Sequence, residues 1–100
     1  MGVRIEFSDG VLTAFVEGDI DHHTAKDIRE KIDENISSKG PKLTNLDFEK
    51  VQFMDSSGIG LIMGRYKLMV TTGGKLKVIN IPKRIERMVK LSGLMKLGIF

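Results

Sequence analysis

At 100 residues, with 41% hydrophobic and 29% charged side chains and a net charge of +3, the chain can bury one core and is too apolar for a disordered segment. It has no cysteine, which excludes disulfides, thiolate metal sites and cysteine nucleophiles, and two histidines are few for a histidine-based metal centre. Residues 1–64 hold 7 basic and 12 acidic side chains, whereas residues 65–100 hold 9 basic ones against Glu86, yet Tyr66 is the one aromatic interleaved with those cations and no nucleic-acid motif accompanies them.

Val3, Ile5 and Phe7 alternate with Arg4 and Glu6, the period of a half-buried strand. Asp9-Gly10 predicts a hairpin turn, and Val11 to Glu17, rich in β-branched and aromatic residues, the second strand, with Gly18 closing it. Either Asp21 or Thr24, the latter followed three residues on by Asp27, is suited to start a helix. Ala25, Ile28, Ile32 and Ile36 form its apolar stripe, and the segment Ser37 to Pro41 stops it.

Leu43 to Phe48 reads as a third strand, polar at Thr44, Asn45 and Asp47. A second helix is expected from about Ser57 to Thr71, burying Ile59, Ile62, Met63, Tyr66, Met69 and Val70, and broken by Gly73-Gly74. Lys75 to Ile81 alternates as a fourth strand. Pro82 suits the first turn of a third helix that buries Ile85, Met88 and Val89 and ends at Ser92-Gly93, before an apolar tail, Leu94 to Phe100. The order β-β-α-β-α-β-α predicts one α/β domain over residues 1–100. Its four-stranded mixed sheet has an antiparallel opening hairpin and parallel strands joined through helices.

The stretch Phe53-Met54-Asp55-Ser56-Ser57-Gly58-Ile59-Gly60 places two serines where an apolar strand becomes an apolar helix. A serine there caps free amides. The same amides and the helix dipole would also stabilise an added anion. From the residues alone, capping and modification both remain open. Gly58, Gly60 and Gly64 weaken the helix relative to alanine, which suits either close packing or a low-profile contact surface.

Met54-Asp55-Ser56-Ser57-Gly58, followed by Gly64-Arg65-Tyr66-Lys67, resembles the phosphorylation segment of the anti-sigma factor antagonists of the STAS family, and more narrowly of the stage II sporulation protein AA family. Gly18 to Ala25 is similar to that family's loop before the first helix, and Leu91 to Lys96 to its C-terminal signature. The resemblance implies the STAS fold and a binding protein that acts without catalysis, cofactor or metal. Its unphosphorylated form would bind an ATP- or ADP-bound anti-sigma factor that is also a serine kinase, and so free a sporulation sigma factor. Phosphorylation on Ser56 would end the contact, and a PP2C-like phosphatase would restore it. Asp21, His22, Asp55, Ser57, Gly58 and Gly60 would line the partner surface. A monomer is expected, with neither nucleic acid nor membrane as partner.

The sequence departs from the family at Thr44 and Asn45, polar in a central strand and expected to weaken its burial, and the chain stops at Phe100, earlier than family members usually do. No apolar run approaches the ~20 residues that cross a bilayer. The N-terminus lacks a signal-peptide core, and Glu6 stands where a myristoylation signal has Ser or Thr, so the cytoplasm is the expected compartment.

Three other readings compete. A serine hydrolase would use Ser56, His22 and Asp55 or Asp21, but the Gly-x-Ser-x-Gly elbow is missing. A nucleotide fingerprint at Gly58-x-Gly60-x-x-x-Gly64 has its third glycine one position late. An antagonist of the same fold could instead serve a stress-response sigma factor.

Overall fold

The structure, a computed structural model, describes residues 2–100. Strands β1 (Gly2–Ser8) and β2 (Val11–Ile20) lead into helix α1 (Ala25–Lys39), β3 (Leu43–Met54), α2 (Ser56–Thr71), β4 (Lys75–Ile79) and α3 (Lys83–Ser92), with a 3₁₀ turn at Leu94–Leu97. The four strands lie in sequence order, β1 antiparallel to β2 and the other neighbours parallel. This is the mixed sheet that the sequence predicts. Asp9 and Gly10 turn the hairpin with φ of 53° and 78°, the left-handed pair that matches strand twist.

Cross-strand register explains the polar third strand. Phe7, Leu12, Thr44 and Leu76 form one row across the sheet, and Ile5, Ala14, Leu46 and Val78 the next row on the same face. Helices α1 and α2 cover this face, α1 over β1 and β2 and α2 over β3 and β4. Thr44 is fully buried there, and its hydroxyl donates to Met69 Sδ of α2 at 3.2 Å. The expected loss of burial at Thr44 is therefore corrected, because the hydroxyl finds an acceptor inside the core. Asn45 points the other way, in a polar row with Glu6, Thr13 and Lys77 on the opposite face.

Several boundaries move. Gly18 does not end β2. With φ 91° it sits at an irregularity where the β2–β3 register shifts, and pairing resumes as far as Ile20 opposite Met54. β3 likewise continues past Phe48 to Met54. β4 stops at Ile79 and pairs only with Leu43 to Asp47, which leaves the far half of β3 without a partner on that side. Arg84 of α3 fills part of the gap by donating to the carbonyls of Gln52 (2.9 Å) and Val51 (3.1 Å). Pro82 is the N-cap of α3, one residue before its first turn.

The α1 stripe Ile28, Ile32 and Ile36 is buried as the periodicity predicts, and Gly40 closes the helix at φ 55°, its amide donating to the Ile36 carbonyl at 2.9 Å. On α2 the buried residues are Gly58, Leu61, Ile62, Arg65 and Met69. Ile59, Met63 and Tyr66 are half-buried, and Val70 is exposed. The predicted face is thus rotated toward Leu61 and Arg65, because α2 packs on α1 as well as on the sheet.

Candidate functional site

The turn from β2 into α1 and the turn from β3 into α2 meet at one end of the sheet. Extension of both strands to Ile20 and Met54 brings them together, and the Asp55 amide donates to the Ile20 carbonyl at 3.1 Å.

Asp55 is the N-cap of α2. Its backbone is extended, and Oδ1 accepts from the Ser57 amide at 2.7 Å. Ser56, where α2 begins one residue earlier than predicted, is exposed, whereas Ser57 is half-buried. Gly58 is buried, and a Cβ there would overlap Cγ and Sδ of Met54, so packing demands this glycine. Gly60 and Gly64 differ, since a Cβ at either would meet nothing within 4 Å. Close packing explains Gly58 and does not explain the other two.

Across the junction, Asp21 Oδ1 accepts from the amides of His23 (2.9 Å) and Thr24 (3.1 Å). The His23 amide bond is the main cause that holds the Asp21 carboxyl below its ordinary value of 3.8, against desolvation and with help from the Thr24 amide and the two neighbouring histidines. Thr24 occupies the α1 N-cap position without a capping bond. Its hydroxyl instead accepts from the Asp21 amide (3.0 Å) and donates to the Asp19 carbonyl (2.8 Å). The two expected starters thus divide the work, Asp21 closing the turn and Thr24 pinning it. His22 and His23 are exposed, with ring centroids 3.9 Å apart.

A groove of about 360 Å³ runs between α1 and α2. His22, Lys26 and Arg29 line one wall, and Ser57, Gly60 and Arg65 the other. The structure therefore brings His22, Ser57 and Gly60 to one concavity, with Asp21, Asp55 and Ser56 adjoining them in sequence. Arg65 is 6% exposed and lies 2.8 Å from Asp33 of α1, Nε to Oδ1. The angles do not make this contact a hydrogen bond, so these two atoms and Arg65 Nη1 are buried without hydrogen-bond partners among the described residues. Burial pushes the Asp33 carboxyl above its ordinary value and the Arg65 guanidinium below its own, each opposed by the partner's charge.

Sequence reasoning missed Lys26, Arg29, Asp33 and Arg65. The available signal was Arg65 itself, a cation spaced by four and eight residues from Leu61 and Ser57 on one helix face.

Both acids proposed for a triad accept bonds from backbone amides, Asp21 from His23 and Thr24 and Asp55 from Ser57. All three glycines of the nucleotide-like spacing lie inside α2, not in a loop ahead of it. Among the described residues no group of three His, Cys, Asp or Glu side chains is placed to hold a metal ion, and no helix is long and apolar enough to cross a membrane.

The profile of the STAS domain family matches residues 3–99. An anti-sigma F factor antagonist of Paenibacillus polymyxa is 38% identical over 95 residues, covering 95% of this chain and 81% of the relative. An anti-sigma-B factor antagonist of Bacillus subtilis (strain 168) is 29% identical over 94 residues, covering 94% and 84%. Among solved structures, the anti-sigma factor antagonist SpoIIAA in its unphosphorylated form superposes with a TM-score of 0.82 at 29% identity, over 93% of this chain and 82% of that one. SpoIIAA in the phosphorylated form gives 0.75 at 28%, over 95% and 86%. The chain belongs to the STAS domain family and, within it, to the group of the anti-sigma factor antagonists.

Proposed function

We propose that this chain is an anti-sigma factor antagonist switched by phosphorylation of Ser56. Unphosphorylated, it binds an anti-sigma factor that is also a serine kinase, and so releases a sporulation sigma factor. The observation that carries this reading is the exposed Ser56 hydroxyl at the first position of α2, directly after a carboxylate already committed to the cap.

The chemistry requires no catalytic group of this chain. The Ser56 hydroxyl oxygen bonds to the γ-phosphorus of ATP held by the kinase, the bond to ADP breaks, and the hydroxyl proton passes to a base on the kinase. A PP2C-like phosphatase reverses the change by delivering water to phosphorus and releasing inorganic phosphate. The added group carries roughly −1.5 to −2 charges at neutral pH. At the mouth of α2 the helix dipole tolerates it, so the fold need not rearrange. At an interface formed by Asp21, His22, Asp55, Ser57 and Gly60, with Gly58 buried beneath it as a packing residue, the same charge beside Asp55 costs about 2–5 kcal/mol when desolvated, which weakens binding by tens- to thousands-fold. The domain works as a cytoplasmic monomer without cofactor.

The likeness to an anti-sigma F factor antagonist favours the sporulation circuit, and the likeness to an anti-sigma-B factor antagonist supports a stress-response circuit as the second reading. Genes for an anti-sigma kinase and a sigma factor beside this one would identify the circuit.

The test mixes the protein with its cognate kinase and ATP, followed by intact mass and peptide mapping. One phosphate is expected, on Ser56, absent from Ser56→Ala. Ser56→Asp is expected to bind the kinase at least about tenfold more weakly than wild type. Phosphate on Ser57 instead, or wild-type affinity in Ser56→Asp, would overturn the switch.

A further inference from the structure

The two grooves that flank α1 differ in charge. The groove on the β1 side is lined by Glu17, Asp19 and Asp27, together with His23 and Lys31. The groove on the α2 side is lined by Lys26, Arg29, Arg65 and His22, with no carboxylate among its lining residues. Lys26 and Arg29 are exposed on its rim. Arg65 in its wall is buried and only partly answered, because Asp33 approaches Nε while Nη1 has no hydrogen-bond partner among the described residues. Among the side chains that line the concavity, Lys26 and Arg29 are therefore the cations without a carboxylate partner in its wall. Arg65 faces Asp33, while the Asp21 and Asp55 carboxylates adjoin the groove's end and are engaged by backbone amides.

Its shape suits a polypeptide. Ser57, Leu61 and Arg65 follow one face of α2 over eight residues, roughly 12 Å of helix. That length matches about three to four residues of extended chain. Gly60 keeps the wall low, since no atom lies within 4 Å of where its Cβ would stand.

We propose that this groove is the docking channel for an acidic segment of the anti-sigma factor, its carboxylates meeting Lys26 and Arg29. The inference rests on the antagonist function proposed above and adds the chemistry of the partner surface. It also gives the phosphate on Ser56 a second effect. Ser56 is the chain neighbour of Ser57, which lines the channel, so the new charge offsets the cations that the acidic segment needs.

The test is calorimetric titration of the cognate anti-sigma factor with unphosphorylated wild type, Lys26→Glu/Arg29→Glu, and Lys75→Glu/Lys77→Glu, at low and physiological salt. The third protein changes the net charge equally, on β4, away from the channel. Wild-type affinity is expected to fall with salt. The groove variant is expected to bind about tenfold more weakly or worse, with a flatter salt dependence, while the β4 variant binds as wild type. Circular dichroism and thermal melting verify that the surface changes leave the fold intact. Equal loss in both variants, or none in the groove variant, overturns the channel while the antagonist function stands. A melting shift with millimolar inorganic phosphate that the groove variant lacks, at unchanged partner affinity, overturns it in favour of a free-anion site. If wild type forms no complex at all, the antagonist function falls and the channel with it.

Discussion

At the scale of single residues, the glycines of α2 separate by surroundings. Gly58 lies against Met54, itself buried, so Gly58→Ala forces a core side chain to move and should lower stability by about 1–2 kcal/mol in urea denaturation. Gly60 faces open space inside a helix, so Gly60→Ala should raise stability by up to ~1 kcal/mol through helix propensity alone. The same methyl intrudes on the groove and should weaken partner binding. A gain in stability with a loss in affinity marks a residue kept for contact. The sequence shows three glycines in one helix and nothing that ranks them, because the distinction lies in what a missing side chain would touch.

At the scale of elements, Asp33 and Arg65 couple α1 to α2 through a pair that is buried on the arginine side and 35% exposed on the aspartate side. Removing one member leaves the other charge unanswered. Asp33→Ala should therefore cost about 1–3 kcal/mol, between the values for exposed and fully buried pairs. Asp33→Leu combined with Arg65→Met should recover most of that loss, because two apolar side chains leave no orphaned charge. Equilibrium unfolding of the single and double variants measures both quantities. The α1 stripe was legible because Ile28, Ile32 and Ile36 follow helical spacing without exception. The α2 face was misjudged because its apolar residues run almost all round the helix, so periodicity could not say which arc meets the sheet and which meets α1.

At the scale of the whole molecule, β4 is an edge strand and the tail after α3 returns to it. The Val78 amide donates to the Ile99 carbonyl at 2.7 Å, and the Ile99 and Leu94 side chains are buried. The sequence reads this segment only as a short apolar tail. Ile99→Ala should destabilise the domain by about 2–4 kcal/mol, and hydrogen exchange at Val78 should accelerate beyond that of the β2–β3 amides. Equal acceleration throughout would mean that the tail acts only through global stability. The site depends on the whole sheet in the same way. Continuation of β2 past Gly18 and of β3 past Phe48 carries Asp21 and Asp55 to one place, and both extensions are sheet pairings.

The amino-acid sequence alone determined the order of elements, the mixed sheet, the hairpin at Asp9-Gly10 and the serine pair opening α2, because alternation, helical spacing and turn chemistry are local properties of the chain. Tertiary structure alone decided where β2 ends, why Thr44 is tolerated in the core, which glycine is packing and which is open, and that Lys26, Arg29 and Arg65 share a groove with Ser57. Each of these depends on atoms far away in sequence, and no local pattern encodes the distance between them.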